Sequence, residues 1–152
     1  MPKTAFFPGS FDPFTKGHED IVLRALALFD EVVIGIGQNS NKSRYFSLDK
    51  MKNYIESTFK NKPVRVVTYQ NLTANVAKEV GAKFIIRGLR NTTDFEYENS
   101  ISQVNRHINP ELETVFLITS PHLAPISSTI IRDLHRYGSE IGEYLPYTLD
   151  GI

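Results

Sequence analysis

Residues 4–18 read TAFFPGSFDPFTKGH. The apolar run 4–7 ends at Pro8 and Gly9, so it reads as a strand that passes directly into a loop rich in Pro, Gly and Asp. Helical periodicity begins at Gly17 and continues to about residue 29, with Ile21, Val22, Ala25, Leu26 and Phe29 on one face. Gly9 lets backbone approach a ligand closely, Ser10 offers a hydroxyl, and a helix that starts at Gly17 and His18 presents free N–H groups that favour an anion. Strand, glycine-bearing loop and helix in this order make a βα unit whose loop suits a phosphate.

The same alternation continues outward along the chain. Residues 32–36 give a second apolar run, and Ser47 is placed to cap the next helix, with Asp49 in its first turn and Met51, Ile55 and Phe59 on its apolar side. Residues 64–69 read as the third strand. A short helix over about 72–80 stops at Gly81, a natural left-handed C-terminal cap, before a strand at 84–87. Asp94 opens a helix that ends near Pro110, residues 115–119 make the fifth strand, and Ser127 starts a final helix through about His135. Gly138, Gly142 and Pro146 predict an irregular tail or a short helical turn. Five such units, joined by right-handed crossovers, predict an α/β fold: one Rossmann-like, doubly wound domain over residues 1–152 with a five-stranded parallel sheet. Ligands of such sheets bind beyond the carboxyl ends of the strands, which directs attention to residues 10–18, 39–44, 87–90 and 120–129.

Composition narrows the function classes. A chain of 152 residues has room for one core, so one site is expected. Lys plus Arg and Asp plus Glu both number 17, so no net charge draws the chain onto nucleic acid or an anionic membrane. Any anion recognition is local. The absence of cysteine rules out disulfides, thiolate catalysis and thiolate metal sites. No apolar run approaches the ~20 residues of a membrane span, and the N-terminus lacks the pattern of a secretion signal, so a cytoplasmic location is expected.

Several residues carry chemistry on their own account, each with a plainer alternative. His18, at a helix start, is placed to donate a hydrogen bond to a phosphoryl oxygen; otherwise it is a helix-end imidazole bound to water or backbone. Arg87 directly follows the apolar run 84–86, where an unpartnered guanidinium is costly, so it binds an anion or pairs with Asp94 or Glu96. Lys42 is an anion contact or a solvated side chain, and Glu98 a contact or a solvated helix face. One of Ser127, Ser128 and Thr129 suffices to cap a helix, which leaves two hydroxyls for another task. Tyr97, Ile101, Val104 and Ile108 share a helix face that is core or subunit contact.

Two motifs at opposite ends of the chain carry a resemblance. Thr15, Lys16, Gly17 and His18 resemble the T/HxGH signature of the nucleotidyltransferase superfamily, and residues 126–132, ISSTIIR, resemble its ISSTxIR signature. Between them, residues 8–13, the Arg87, Gly88, Leu89, Arg90 run, residues 94–98 and Asn105, Arg106, His107 followed by residues 110–113 are similar to the bacterial phosphopantetheine adenylyltransferase family. The resemblance spans nearly the whole chain. It implies transfer of AMP from ATP to 4′-phosphopantetheine, giving dephospho-coenzyme A and pyrophosphate, with Mg²⁺ as cofactor, no protein-held metal site and a homohexamer.

By motif position, the resemblance makes His18, Lys42 and Arg90 catalytic. It gives ATP to Ser10, Phe11, His18, Gly88, Leu89, Arg90, Glu98, Leu123, Ala124, Pro125, Ile126, Ser127, Ser128 and Thr129, and the acceptor to Ser10, Lys42, Thr73 and Arg87. Leu123 stands where some relatives carry an aromatic residue, and Pro121, Ala124 and Pro125 make that loop unusual. The attacking group is already an anion at neutral pH, so neither a general base nor a covalent nucleophile is needed, and positioning with charge neutralisation suffices for direct in-line attack. Lys42, Arg87, Arg90, His18 and Mg²⁺ are the expected cations. Other acceptors, nicotinamide mononucleotide or glycerol 3-phosphate, and a non-catalytic nucleotide sensor are the competing readings.

Overall fold

In the computed structural model, which describes residues 2–39, 41 and 43–149, five strands form one parallel sheet in the order β3-β2-β1-β4-β5. They are β1 (Thr4–Gly9), β2 (Glu31–Gly37), β3 (Val64–Tyr69), β4 (Phe84–Leu89) and β5 (Glu113–Ile118). The helices between and after them are α1 (Lys16–Ala25), α2 (Leu48–Thr58), α3 (Thr73–Glu79), α4 (Thr92–Ile108) and α5 (Ser128–Arg136), with a short 3-10 turn at Gly142–Tyr144. A parallel sheet covered on both faces needs apolar residues in succession, which is why β1 and β2 read as continuous runs.

Alternation along each strand sorts those residues into two cores. Ala5, Phe7, Val32, Ile34, Ile36 and Ile86 face one side, where they pack with Ile21 and Val22 of α1, Met51 and Ile55 of α2 and Ile131 of α5. Phe6, Val33 and Ile85 face the other, against Ala74, Val76 and Ala77 of α3. The sheet is therefore doubly wound, as the alternating pattern predicts. Among the described residues no helix is long and apolar enough to cross a membrane.

The boundaries differ from the sequence reading where distant contacts decide them. β4 continues through Gly88 and Leu89 because these pair with Leu117 and Ile118 of β5, so three of the four residues 87–90 are strand. β5 begins earlier, at Glu113, which pairs with Phe84. α1 ends at Ala25, beyond which Ala27 and Leu28 make tight turns to Arg24 and Ala25 while Phe29 still reaches the core. Asp94 does not open α4; Asn91 caps it by accepting from the Asp94 N–H at 2.8 Å. Gly81 takes the left-handed conformation at φ +81, Ser47 caps α2 and Ser127 caps α5, as expected. Only Glu98 and Asn105 of α4 are buried, whereas Tyr97, Ile101, Val104 and Ile108 are exposed, which removes the core reading of that face.

Candidate active site

The site begins with a parting of strands. β1 pairs with β2 along its whole length, from Thr4 to Gly9, but with β4 only at Ala5 and Phe6. Between β1 and β4 the winding of the sheet reverses, and their carboxyl ends diverge into the crevice that such a switch point creates. Arg87 of β4 spans the gap, with Nη1 donating to the Pro8 carbonyl. Its Nε and Nη2 donate to the two oxygens of Glu98, at 2.9 and 2.6 Å, a bidentate pair whose carboxylate is nearly buried. The partner of Arg87 is thus Glu98, one helical turn along from Asp94 and on the face of α4 that meets the sheet, and neither Asp94 nor Glu96. Asp94 pairs with Arg90 instead, Nε to Oδ2 at 3.1 Å, and that guanidinium holds the Asp94 carboxyl below its usual range.

At the start of α1, Thr15 and His18 form a reciprocal capping box. The Thr15 N–H donates to His18 Nδ1 at 2.9 Å, and the His18 N–H points to Thr15 Oγ1 at 3.4 Å. A backbone N–H can only donate, so Nδ1 carries no proton and the neutral ring holds its hydrogen on Nε2. Burial, followed by the charges of Arg87 and Arg90, lowers the imidazole pKa to about 3. His18 is therefore a neutral donor near pH 7, which corrects its place among the expected cations. The rings of Phe11, Phe14 and Phe7 surround it, with centroids at 5.0, 5.2 and 6.2 Å, and fix its plane.

At the opposite wall stands the first turn of α5. Ser127 Oγ accepts from the Ile130 N–H at 3.1 Å, Ser128 Oγ donates to the Pro13 carbonyl at 2.8 Å, and Thr129 Oγ1 accepts from Arg132 at 3.2 Å. All three hydroxyls have protein partners, so one cap is not their whole explanation and neither is a free phosphate grip.

A cleft of about 480 Å³ runs between these walls, lined by Ser10, His18, Arg87, Gly88, Arg90, Glu98, Leu123, Ile126, Ser127, Ser128 and Thr129, with Thr15, Gly17, Ile21, Asp94 and Thr119. A second pocket, about 180 Å³, lies behind it and is lined by Gly9, Tyr69, Thr73, Ile85, Ile101 and Asn105. Arg87 and Glu98 line both. Thr73 belongs to the smaller pocket, where its hydroxyl meets the Tyr69 hydroxyl at 3.2 Å.

Four of the residues expected to hold ATP do not line the larger cleft. The Phe11 side chain is buried in the core, and its ring occupies the space beside Gly9, 2.8 Å from where a Cβ would stand. The room at Gly9 therefore serves the protein's own ring. Leu89 is buried, on the opposite side of β4 from Gly88, which lines the cleft. Ala124 and Pro125 sit in a tight turn in which Leu123 and Ala124 both donate to the Ser120 carbonyl. Lys42 lies outside the described residues. Asp12, Arg44 and Arg132, absent from the sequence-based set, bind the loops of the rim to one another. Asp12 and Arg132 had a local signal, their places in residues 8–13 and in the ISSTIIR segment.

Among the described residues no three His, Cys, Asp or Glu side chains gather as a metal cage. Asp94 and Glu98 are the carboxylates at the cleft, each already paired to an arginine. That arrangement fits a hard cation brought in on phosphate oxygens, with few protein ligands of its own.

Comparison with known proteins agrees with this geometry. Residues 6–134 match the family described as Cytidylyltransferase-like. The phosphopantetheine adenylyltransferase of Cytophaga hutchinsonii is 61% identical over 98% of this chain and 100% of its own length, and that of Flavobacterium johnsoniae is 51% identical over 95% of each. Among solved structures, a bifunctional NMN adenylyltransferase/ADP ribose pyrophosphatase from Francisella tularensis, complexed with AMP and a manganese ion, superposes with a TM-score of 0.71 at 20% identity, over 98% of this chain and 46% of that one. A lipopolysaccharide core biosynthesis protein from Thermoplasma volcanium gives 0.58 at 17% identity, over 79% of this chain and 98% of that one. The structural likenesses establish the fold, and the near full-length sequence identities establish that the chain belongs to the phosphopantetheine adenylyltransferase family.

Proposed function

We propose that the chain transfers the adenylyl group of ATP to the phosphate of 4′-phosphopantetheine, releasing dephospho-coenzyme A and pyrophosphate, a step of coenzyme A synthesis in the cytoplasm. The observation that carries this reading is the pair of adjoining pockets that share Arg87 and Glu98 as a common wall. The larger has the donors for a triphosphate: the Arg90 guanidinium, the His18 Nε2–H and the first turn of α5 with Ser128 and Thr129. The smaller, of about 180 Å³, mixes the apolar Ile85 and Ile101 with the hydroxyls of Tyr69 and Thr73, which suits an amide-bearing arm ending at Arg87.

Two phosphates brought into line at this wall repel each other by several kcal/mol at low effective dielectric unless positive charge or donors intervene. Arg87 would hold the acceptor phosphate, Arg90 and the α5 turn the nucleotide phosphates, and Ser10 would face both. His18 would donate from Nε2 to a non-bridging oxygen of the α-phosphate as charge builds there. Lys42 is proposed as the remaining cation on the acceptor side. Mg²⁺, carried by the nucleotide, would neutralise the β- and γ-phosphates as they leave. Nothing in these roles requires a covalent intermediate.

The test is pyrophosphate release from ATP and Mg²⁺ with 4′-phosphopantetheine, nicotinamide mononucleotide or glycerol 3-phosphate. Release with the first acceptor alone is expected. Release only with another acceptor reassigns the smaller pocket, and ATP binding without release makes the chain a sensor. The exposed Tyr97, Ile101, Val104 and Ile108 of α4 support the further proposal of a homohexamer, which light scattering would measure as a mass of six chains.

A further inference from the structure

Arg44 lies in the loop between β2 and α2, and none of the roles above involves it. Its guanidinium is directed at the backbone of the rim. Nη1 donates to the Ser10 carbonyl, Nη2 to the Phe11 carbonyl at 2.9 Å and Nε to the Phe46 carbonyl at 3.1 Å. Asp12 answers in the opposite direction, its carboxylate accepting from the N–H groups of Tyr45 and Phe46 at 2.8 Å each. The two side chains also face each other, 3.8 Å apart and with exposures of 18% and 11%. Helix α5 joins them through Arg132, whose Nη1 donates to the Asp12 carbonyl at 2.6 Å, and through Ser128, which donates to the Pro13 carbonyl at 2.8 Å. The loops that leave the sheet at β1 and β2 and the first turns of α5 are thus tied by one set of bonds.

What that set holds is an unfavourable backbone. Phe11 has φ +45, a conformation a bulky residue rarely adopts. The carbonyls of Ser10 and Phe11, which bracket it, are both taken by the same guanidinium. A planar fork with fixed donor directions can hold two carbonyls at once, whereas a lysine ammonium is a point charge without that geometry. Ser10 lines the cleft, so its backbone placement sets where its hydroxyl and amide stand relative to His18.

We propose that Arg44, acting with Asp12, is a positioning residue for phosphate transfer: it fixes the Ser10 and Phe11 backbone at the cleft and ties that loop to the one that follows β2. The proposal rests on the adenylyl-transfer reading. Its chemistry is indirect, since Arg44 touches carbonyl oxygens and no reacting atom. Displacement of Ser10 by about an ångström would cost on the order of 100-fold in rate while leaving most ground-state contacts in place.

The experiment compares the wild-type chain with Arg44→Lys, Arg44→Ala and Asp12→Asn in pyrophosphate release from ATP, Mg²⁺ and 4′-phosphopantetheine. Arg44→Lys is expected to lower kcat by about 10- to 100-fold with both KM values within about threefold. A kcat within about twofold of wild type, with only the melting temperature lowered, would overturn the proposal by showing a merely structural role. Amide hydrogen exchange of residues 10–12 gives a readout that needs no turnover. Faster exchange there in Arg44→Lys, with the strands unchanged, supports the proposal, and unchanged exchange overturns it. If the wild type itself released no pyrophosphate, the adenylyl-transfer reading would fail, and the exchange measurement would still decide whether Arg44 holds the loop. Should Arg44→Ala fail to fold, the lysine and Asp12→Asn variants carry the test.

Discussion

The helices α1 and α5 both begin at the cleft, yet their first turns are built differently. The start of α1 closes on itself, since Thr15 and His18 satisfy one another and leave the His18 ring with one tautomer and one direction. The start of α5 leans on a distant segment, because Ser128 reaches across to the Pro13 carbonyl, while Thr129 accepts from Arg132 of the same helix. A locally locked donor is already aimed before any ligand arrives, which is what transition-state stabilisation needs. A hydroxyl with a protein partner must exchange that partner for a phosphate oxygen, so its net contribution is small and is spread over bound states alike.

That contrast can be broken most sharply at His18. His18→Ala is expected to lower kcat by about 10²- to 10³-fold while the Kd for ATP changes by less than about threefold, measured by steady-state kinetics and calorimetry. A parallel loss of ATP affinity would erase the distinction between the two helix starts. Ser128→Ala is expected to do the reverse on a smaller scale, raising the KM for ATP by about three- to tenfold with kcat little altered.

The pH dependence sharpens the same point with a smaller effect. An unfolded chain protonates this histidine near 6.5, whereas the folded chain does so only near 3. Acidification through that window therefore adds a proton to the unfolded state alone and lowers stability. Between pH 7 and 5.5 the unfolding free energy is expected to fall by about 1 kcal/mol in the wild type, and this part of the fall should vanish in His18→Gln, as read from urea melts. Equal pH slopes in the two proteins would mean that the ring titrates normally.

Sequence reading reached the sheet, its five strands and the gathering of His18, Arg87, Arg90 and Ser128 at one rim, because apolar runs and cap residues are local signals. It did not reach the partner of Arg87. Glu98 is 11 residues away, and only the docking of α4 against β4 decides which of its carboxylates meets the guanidinium. The charge of His18 was missed for a similar reason, as burial among three phenylalanine rings is not a property of the TKGH segment. The tie between Asp12 and Arg44 joins loops that no periodicity connects, and Phe11 looks like any aromatic residue until its backbone conformation is known.

The shared wall of Arg87 and Glu98 makes the two pockets thermodynamically dependent on each other. A ligand in the smaller pocket that draws the guanidinium towards its phosphate loosens a carboxylate facing the larger one, and the converse follows with the same sign and size. A molecule that occupies one pocket and displaces this pair therefore changes the affinity of the other, so an inhibitor directed at either should be ranked in the presence of the second substrate.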